Sequence, residues 1–117
     1  MCVTYPLKYG IDRPRPFEEY AVDALKTSFA TGSFPSGHTA AAFCAATVIT
    51  MFDRQKGLPF ILLALFIAFT RMYMYAHYPT DVLAGAAIGI VCAFVAAFIC
   101  LRSNSRTVYV LKGKISD

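Results

Sequence analysis

Three apolar runs alternate with polar segments along this chain: Gly37 to Phe52 (GHTAAAFCAATVITMF), Leu58 to Tyr75, and Val82 to Leu101. A bilayer core takes roughly 17 to 25 helical residues, so the second and third runs reach across and the first barely does. Backbone amides and carbonyls in lipid must bond within their own segment, which makes all three runs helices. The pattern therefore predicts an all-α fold, a polytopic membrane bundle with transmembrane helices at about 37–52, 58–75 and 82–101. Between the first two runs, DRQKG at 53–57 reads as a tight polar turn. After the third, residues 102–117 read as a basic, poorly ordered tail.

Upstream of the first run, FEEYAVDALK places Phe17, Tyr20, Ala21, Ala24 and Leu25 on one helical face, opposite Glu18, Glu19, Asp23 and Lys26. That spacing fits a short helix lying in the membrane interface, and equally a solvated turn of helix. TGSFP then interrupts any helix. Gly85 and Gly89 form a GxxxG pair in the third run, and Ala41/Ala45 and Ala42/Ala46 form small-xxx-small pairs in the first. Such faces call for close helix neighbours, so these three helices read as part of a larger bundle.

Composition sharpens this picture. Of the 117 residues, 57% are hydrophobic, too many for an ordinary soluble domain and too few residues for more than one domain. The net charge of +4 comes without a basic stretch interleaved with aromatics and without tryptophan, which argues against a nucleic-acid partner. Cys2, Cys44, Cys92 and Cys100 show neither a CxxC pair nor zinc-ligand spacing, so they read as reduced packing residues rather than a disulfide or metal site. No signal peptide is visible, since Lys8 follows Met1 too closely for an apolar signal core.

Threading the helices back and forth brings three polar clusters to one membrane face. KYGIDRPRP supplies Lys8, Arg13 and Arg15, with Pro14 and Pro16 holding the backbone extended. These cations suit convergence on one anion, although snorkelling to lipid headgroups fits them too. In SFPSGHTA, Pro35 keeps Phe34 out of the helix, Ser36 suits the N-cap, and the amides of Gly37 and His38 then open the helix towards an anion. His38 there is placed to protonate a leaving group, or is simply an interfacial histidine beside a capped helix.

The third cluster ends the second run: TRMYMYAHYPTD. Pro79 suits the first turn of the third helix, which leaves His77 in the loop and Asp81 one turn in. A carboxylate near that imidazole would hold one ring nitrogen as N–H and free the other to attack. Arg71 brings a fork of donors suited to phosphate. Arg71, Tyr73, Tyr75 and Tyr78 also suit an interfacial belt, but a belt leaves the His77–Asp81 pairing unexplained. Charged groups near a bilayer are costly, and together these residues suit transfer of a phosphoryl group to His77.

Lys8 with Arg15-Pro16, PSGH at 35–38, and Arg71, His77 and Asp81 resemble, in order and internal spacing, the three-part signature of the type-two phosphatidic acid phosphatase superfamily. The resemblance covers about Lys8 to Leu101 and implies a six-helix membrane fold that hydrolyses lipid phosphates or diphosphates without metal or other cofactor. It implies His77 as nucleophile, Asp81 as its orienting base and His38 as general acid. It implies Lys8, Arg15, Ser36, the Gly37 amide and Arg71 as phosphate ligands. Thr70 stands where the signature commonly has serine. Only seven residues precede Lys8, so MCVTYPL reads as the stub of a third helix and the chain as the C-terminal half of such an enzyme, completed by an N-terminal half or a second copy.

Arg54, Lys56, Arg102, Arg106, Lys112 and Lys114 lie on the opposite face, which by the positive-inside rule is cytoplasmic and turns the site outward. An outward site in a short chain resembles the undecaprenyl diphosphate phosphatases. Phosphatidate or phosphatidylglycerophosphate is the alternative substrate. A soluble vanadate haloperoxidase shares the signature but not the long apolar helices, and an inactive half-bundle or non-enzymatic membrane subunit is the reading from another class.

Overall fold

The computed structural model describes residues 3–16, 32–103 and 113. The described residues form four helices and no strand: α1 (Thr4–Ile11), α2 (Gly37–Phe52), α3 (Arg54–Tyr73) and α4 (Pro79–Ser103). Helix α2 is central and packs along both α3 and α4, which scarcely meet each other.

Small residues make this arrangement possible. Buried along the seams are Ala40 and Ala46 of α2, Gly57, Ala64 and Ala68 of α3, and Gly85, Gly89 and Ala93 of α4. Within α2, α3 and α4 the buried apolar side chains are alanines and Val82, whereas Leu62, Phe66 and Phe69 of α3 and Leu83, Phe94 and Phe98 of α4 face outward. A water-soluble core buries large apolar side chains as well as small ones. Here the small residues are inside and the large ones outside, as expected of helices whose outer surfaces meet lipid or further helices.

By length and composition, α3 and α4 can cross a membrane, while α2, with 16 residues, is an apolar helix shorter than a full span. The expected three spans thus become two that reach and one that falls short.

The α2–α4 contact depends on missing Cβ atoms. A Cβ on Gly85 would sit 2.5 Å from the Ser36 carbonyl oxygen, and one on Gly89 would collide with the Ala40 carbonyl. Gly89→Val is therefore expected to lower stability by about 1–3 kcal/mol or more, read as thermal unfolding in detergent. Gly10→Ala is the control, because nothing lies within 4 Å of a Cβ there.

DRQKG is not a turn. Asp53 alone separates α2 from α3, with φ −153° and ψ 106°; its N–H donates to the Ile49 carbonyl, closing α2. Its carboxylate accepts from the amides of Gln55 (3.1 Å) and Lys56 (3.3 Å), opening α3. One residue serves as C-cap and N-cap at once, so Arg54 to Gly57 belong to the first turn of α3. At the other boundaries, α3 ends at Tyr73 and α4 runs from Pro79 to Ser103, beyond the apolar run on both sides.

Lys8 was expected on an extended segment but lies in α1, which ends when Asp12 adopts a left-handed conformation (φ 40°, ψ 47°). Cys44, Cys92 and Cys100 are free thiols, and Cys100 is exposed rather than packed. The segment FEEYAVDALK and nearly all of the basic tail lie outside the described residues.

Candidate active site

Each of the three polar clusters is delivered by a specific backbone device. After α1, the left-handed Asp12 turns the chain so that the Arg13 carbonyl accepts the Ser33 N–H at 2.8 Å. The two segments pass so closely that a Cβ on Gly32 would lie 3.0 Å from the Arg13 nitrogen, a fit that would need the neighbouring backbone to give way. Ser36 caps α2: its Oγ lies 3.5 Å from the Thr39 amide and 2.9 Å from Thr39 Oγ1. The Ser36 N–H donates to the Asp81 carbonyl at 3.0 Å, and Gly85 packs beneath the Ser36 carbonyl. PSGH is thereby fastened to the first turns of α4.

The third cluster is shaped by the end of α3. The Arg71 carbonyl accepts from the amides of both Ala76 (3.2 Å) and His77 (3.3 Å), with Tyr75 at φ 53° between. A left-handed tyrosine costs about 1–2 kcal/mol, and the closure it allows folds His77 back over Arg71.

These devices converge on a cavity of about 410 Å³ lined by Lys8, Arg15, Gly37, His38, Arg71 and His77, with Ala41, Ala42 and Ile67 as an apolar wall. Six predicted site residues from four segments of the chain therefore share one space. Two others stand behind its wall. Ser36 is fully buried with its hydroxyl against Thr39, and Asp81 is fully buried beneath His77.

His77 is oriented by a group the sequence reading did not name. Its Nδ1 lies 2.7 Å from the Ser33 carbonyl, an acceptor that requires Nδ1 to carry the proton and leaves the lone pair on Nε2. Asp81 Oδ2 is 3.8 Å from the same nitrogen, close enough to act through its charge but beyond a hydrogen bond. The carboxylate is instead held by the Tyr78 N–H on Oδ2 (2.8 Å) and by Arg13 on Oδ1 (3.0 Å). Arg13 thus leaves the expected anion-binding group and joins the aspartate. A backbone carbonyl has no residue-type signal in a sequence, so Ser33 could not have been found by inspection.

Electrostatically, the cavity is built for negative charge. Lys8 is buried, with Nζ 3.3 Å from the Gly32 carbonyl, and Arg15 is buried with Nη1 3.2 Å from the Ala76 carbonyl. Burial and the neighbouring Arg15 push the Lys8 pKa down, with Asp81 opposing. Burial, then Arg15 and Lys8, lower His77 to about 4, outweighing the Ser33 bond and Asp81. His77 is consequently neutral at physiological pH, with a lone pair on Nε2. Arg71 Nε is buried with no hydrogen-bond partner among the described residues, although buried guanidinium N–H groups are ordinarily paired. A tetrahedral oxyanion in this cavity would meet that donor together with Lys8 and Arg15.

Comparison with known proteins points the same way. The PAP2 superfamily matches residues 1–105. The chain is 31% identical over 94 residues to undecaprenyl-diphosphatase BcrC of Bacillus subtilis, covering 80% of this chain and 49% of that protein. It is 43% identical over 91 residues to lipid A 1-phosphatase of Rhizobium etli, covering 71% and 38% respectively. It is 35% identical over 100 residues to phosphatidylglycerophosphatase B of Bacillus subtilis, covering 75% and 46%. The chain thus spans less than half the length of each of these relatives. With the match extending over nearly all its length and through every element lining the cavity, this chain belongs to the PAP2 superfamily.

Proposed function

We propose that this chain carries the phosphoryl-transfer centre of a membrane lipid phosphatase that works through a phosphohistidine. The observation that carries the reading is the convergence of a neutral His77, held by Nδ1, with three cations and His38 in one cavity. In the first step the Nε2 lone pair of His77 attacks phosphorus, the bond from phosphorus to the leaving oxygen breaks, and His38 gives that oxygen its proton. Lys8, Arg15, Arg71 and the Gly37 amide hold the remaining phosphoryl oxygens. In the second step His38 takes a proton from water, whose oxygen attacks phosphorus. The N–P bond then breaks and inorganic phosphate is released.

The substrate we assign is undecaprenyl diphosphate, converted to undecaprenyl phosphate at the extracytoplasmic face. Its support is the relative named for that activity and the excess of cations on the opposite face. The relatives named for lipid A 1-phosphate and phosphatidylglycerophosphate favour a second reading, in which the lipid carries a phosphate monoester. The chain spans less than half the length of these relatives, so the activity is assigned to the whole protein. The test is phosphate release by the membrane-embedded protein, in EDTA, from undecaprenyl diphosphate, phosphatidylglycerophosphate and phosphatidate in parallel. Preference for the diphosphate is expected. Preference for a monoester would move the assignment to the second reading, and release that requires added metal would overturn the mechanism.

A further inference from the structure

Arg13 lies outside the three-part signature and does not line the cavity, yet it touches both supports of the histidine that does. Its Nη1 donates to Asp81 Oδ1 at 3.0 Å and to Thr80 Oγ1 at 2.8 Å. Its guanidinium lies 4.0 Å from the centroid of the Tyr78 ring, which fixes the plane of the fork. Its own carbonyl accepts the Ser33 N–H, and the Ser33 carbonyl in turn accepts from His77 Nδ1.

The pairing is unlike an ordinary surface ion pair. Asp81 is 0% exposed while the Arg13 side chain is 37% exposed, so the aspartate is a buried charge whose ion-pair partner reaches it from the surface. With Oδ1 held by Arg13 and Oδ2 by the Tyr78 amide, the carboxylate is kept 3.8 Å from His77. Released from Arg13, it needs to move less than an ångström or so to compete with Ser33 for the Nδ1 proton.

Resting on the phosphohistidine reading above, we propose that Arg13 is a positioning residue that, by clamping Asp81, keeps the carboxylate acting on His77 through its charge rather than through a hydrogen bond. The charged and titratable groups around His77 are Asp81 on α4, Arg15 beside it, Lys8 on α1, and His38 and Arg71, which share the cavity from α2 and α3. Among them Asp81 alone is negative, so its distance adjusts a basicity that burial, Arg15 and Lys8 chiefly set.

The test follows the ring of His77 by NMR in the full chain, with histidine isotopically labelled and His38 distinguished by a His38→Gln variant. Arg13→Gln is expected to raise the His77 pKa by about one unit, and Arg13→Lys, which retains a cation for Oδ1, to restore most of the wild-type value. In the Asp81→Asn background Arg13→Gln is expected to leave the His77 pKa unchanged, because the effect runs through the carboxylate. In turnover, Arg13→Gln is expected to lower kcat about tenfold at unaltered KM, because a ring drawn towards the freed carboxylate carries Nε2 out of line with phosphorus.

A rise in KM at constant kcat would make Arg13 a phosphate ligand and overturn the proposal. So would an unmoved His77 pKa, or the same rise with and without Asp81, which would mark general loosening of the site. The NMR arm needs no catalysis, so a chain inactive towards every lipid phosphate would overturn the functional reading while leaving the clamp to be judged by titration.

Discussion

His77→Ala is expected to reduce phosphate release by about 10⁴-fold or more, the scale on which removing a nucleophile acts in covalent catalysis. The size follows from the geometry. His77 is 4% exposed, its Nδ1 is committed to the Ser33 carbonyl, and its Nε2 is the nitrogen left for phosphorus in a cavity also lined by three cations, a second histidine, Thr4 and Tyr5. His38 is no substitute, because it sits exposed on α2, whereas His77 is buried in the loop before α4. Wild type quenched during turnover should carry acid-labile, base-stable phosphate on one histidine, and the alanine variant none. Equal labelling of the two proteins would sink the assignment.

The pH dependence of the same reaction gives an independent check. Burial and the cations Arg15 and Lys8 depress His77 to about 4 in the folded protein, below the ordinary histidine value near 6.5. Its neutral, attacking form is thus fully present above the ordinary value and is lost only as pH falls through about 4. The acid limb of kcat/KM that belongs to His77 is therefore expected near pH 4. The stability it contributes has the same sign: it is present at pH 7 and lost between the unfolded and folded pKa as acid is added. A limb near 6.5 would mean the ring is solvated, and the tight enclosure of His77 would have to be abandoned.

How much of this was legible depended on whether the deciding contact leaves a residue-type trace. PSGH did, since a proline, a capping serine and a glycine before an apolar run mark a helix start, and α2 begins at Gly37. His77 and Asp81 did, since Pro79 fixes where α4 begins. The boundary at Asp53 failed because polar residues were read as a loop, although an aspartate followed by helix formers is itself a cap signal. Lys8 failed because the two prolines that follow say nothing of the residues before Asp12. The Ser33 carbonyl and the Arg13–Asp81 pair joined positions far apart in sequence, through backbone paths that only the packed chain reveals. Helix threading places the three clusters on one membrane face, and Lys8, Arg15, Gly37, His38, Arg71 and His77 of those clusters line one cavity.

His38→Ala is expected to lower turnover of a lipid phosphate by about 10²- to 10⁴-fold, the range for loss of a general acid. His38 lies in the first turn of α2 and lines the same cavity as His77. Its role predicts a dependence on the leaving group. An alkoxide leaving from the glycerol of phosphatidylglycerophosphate needs a proton in the transition state, whereas a nitrophenolate leaves readily without one. For the nitrophenyl ester, formation of phosphohistidine in His38→Ala should therefore approach the wild-type rate, measured as the burst of nitrophenolate before steady state. Hydrolysis of the intermediate should remain slow, because the same imidazole is the base that activates water. A variant equally slow in the burst with both leaving groups would show that His38 holds the phosphate rather than moving a proton, and the acid would have to be sought elsewhere in the whole protein.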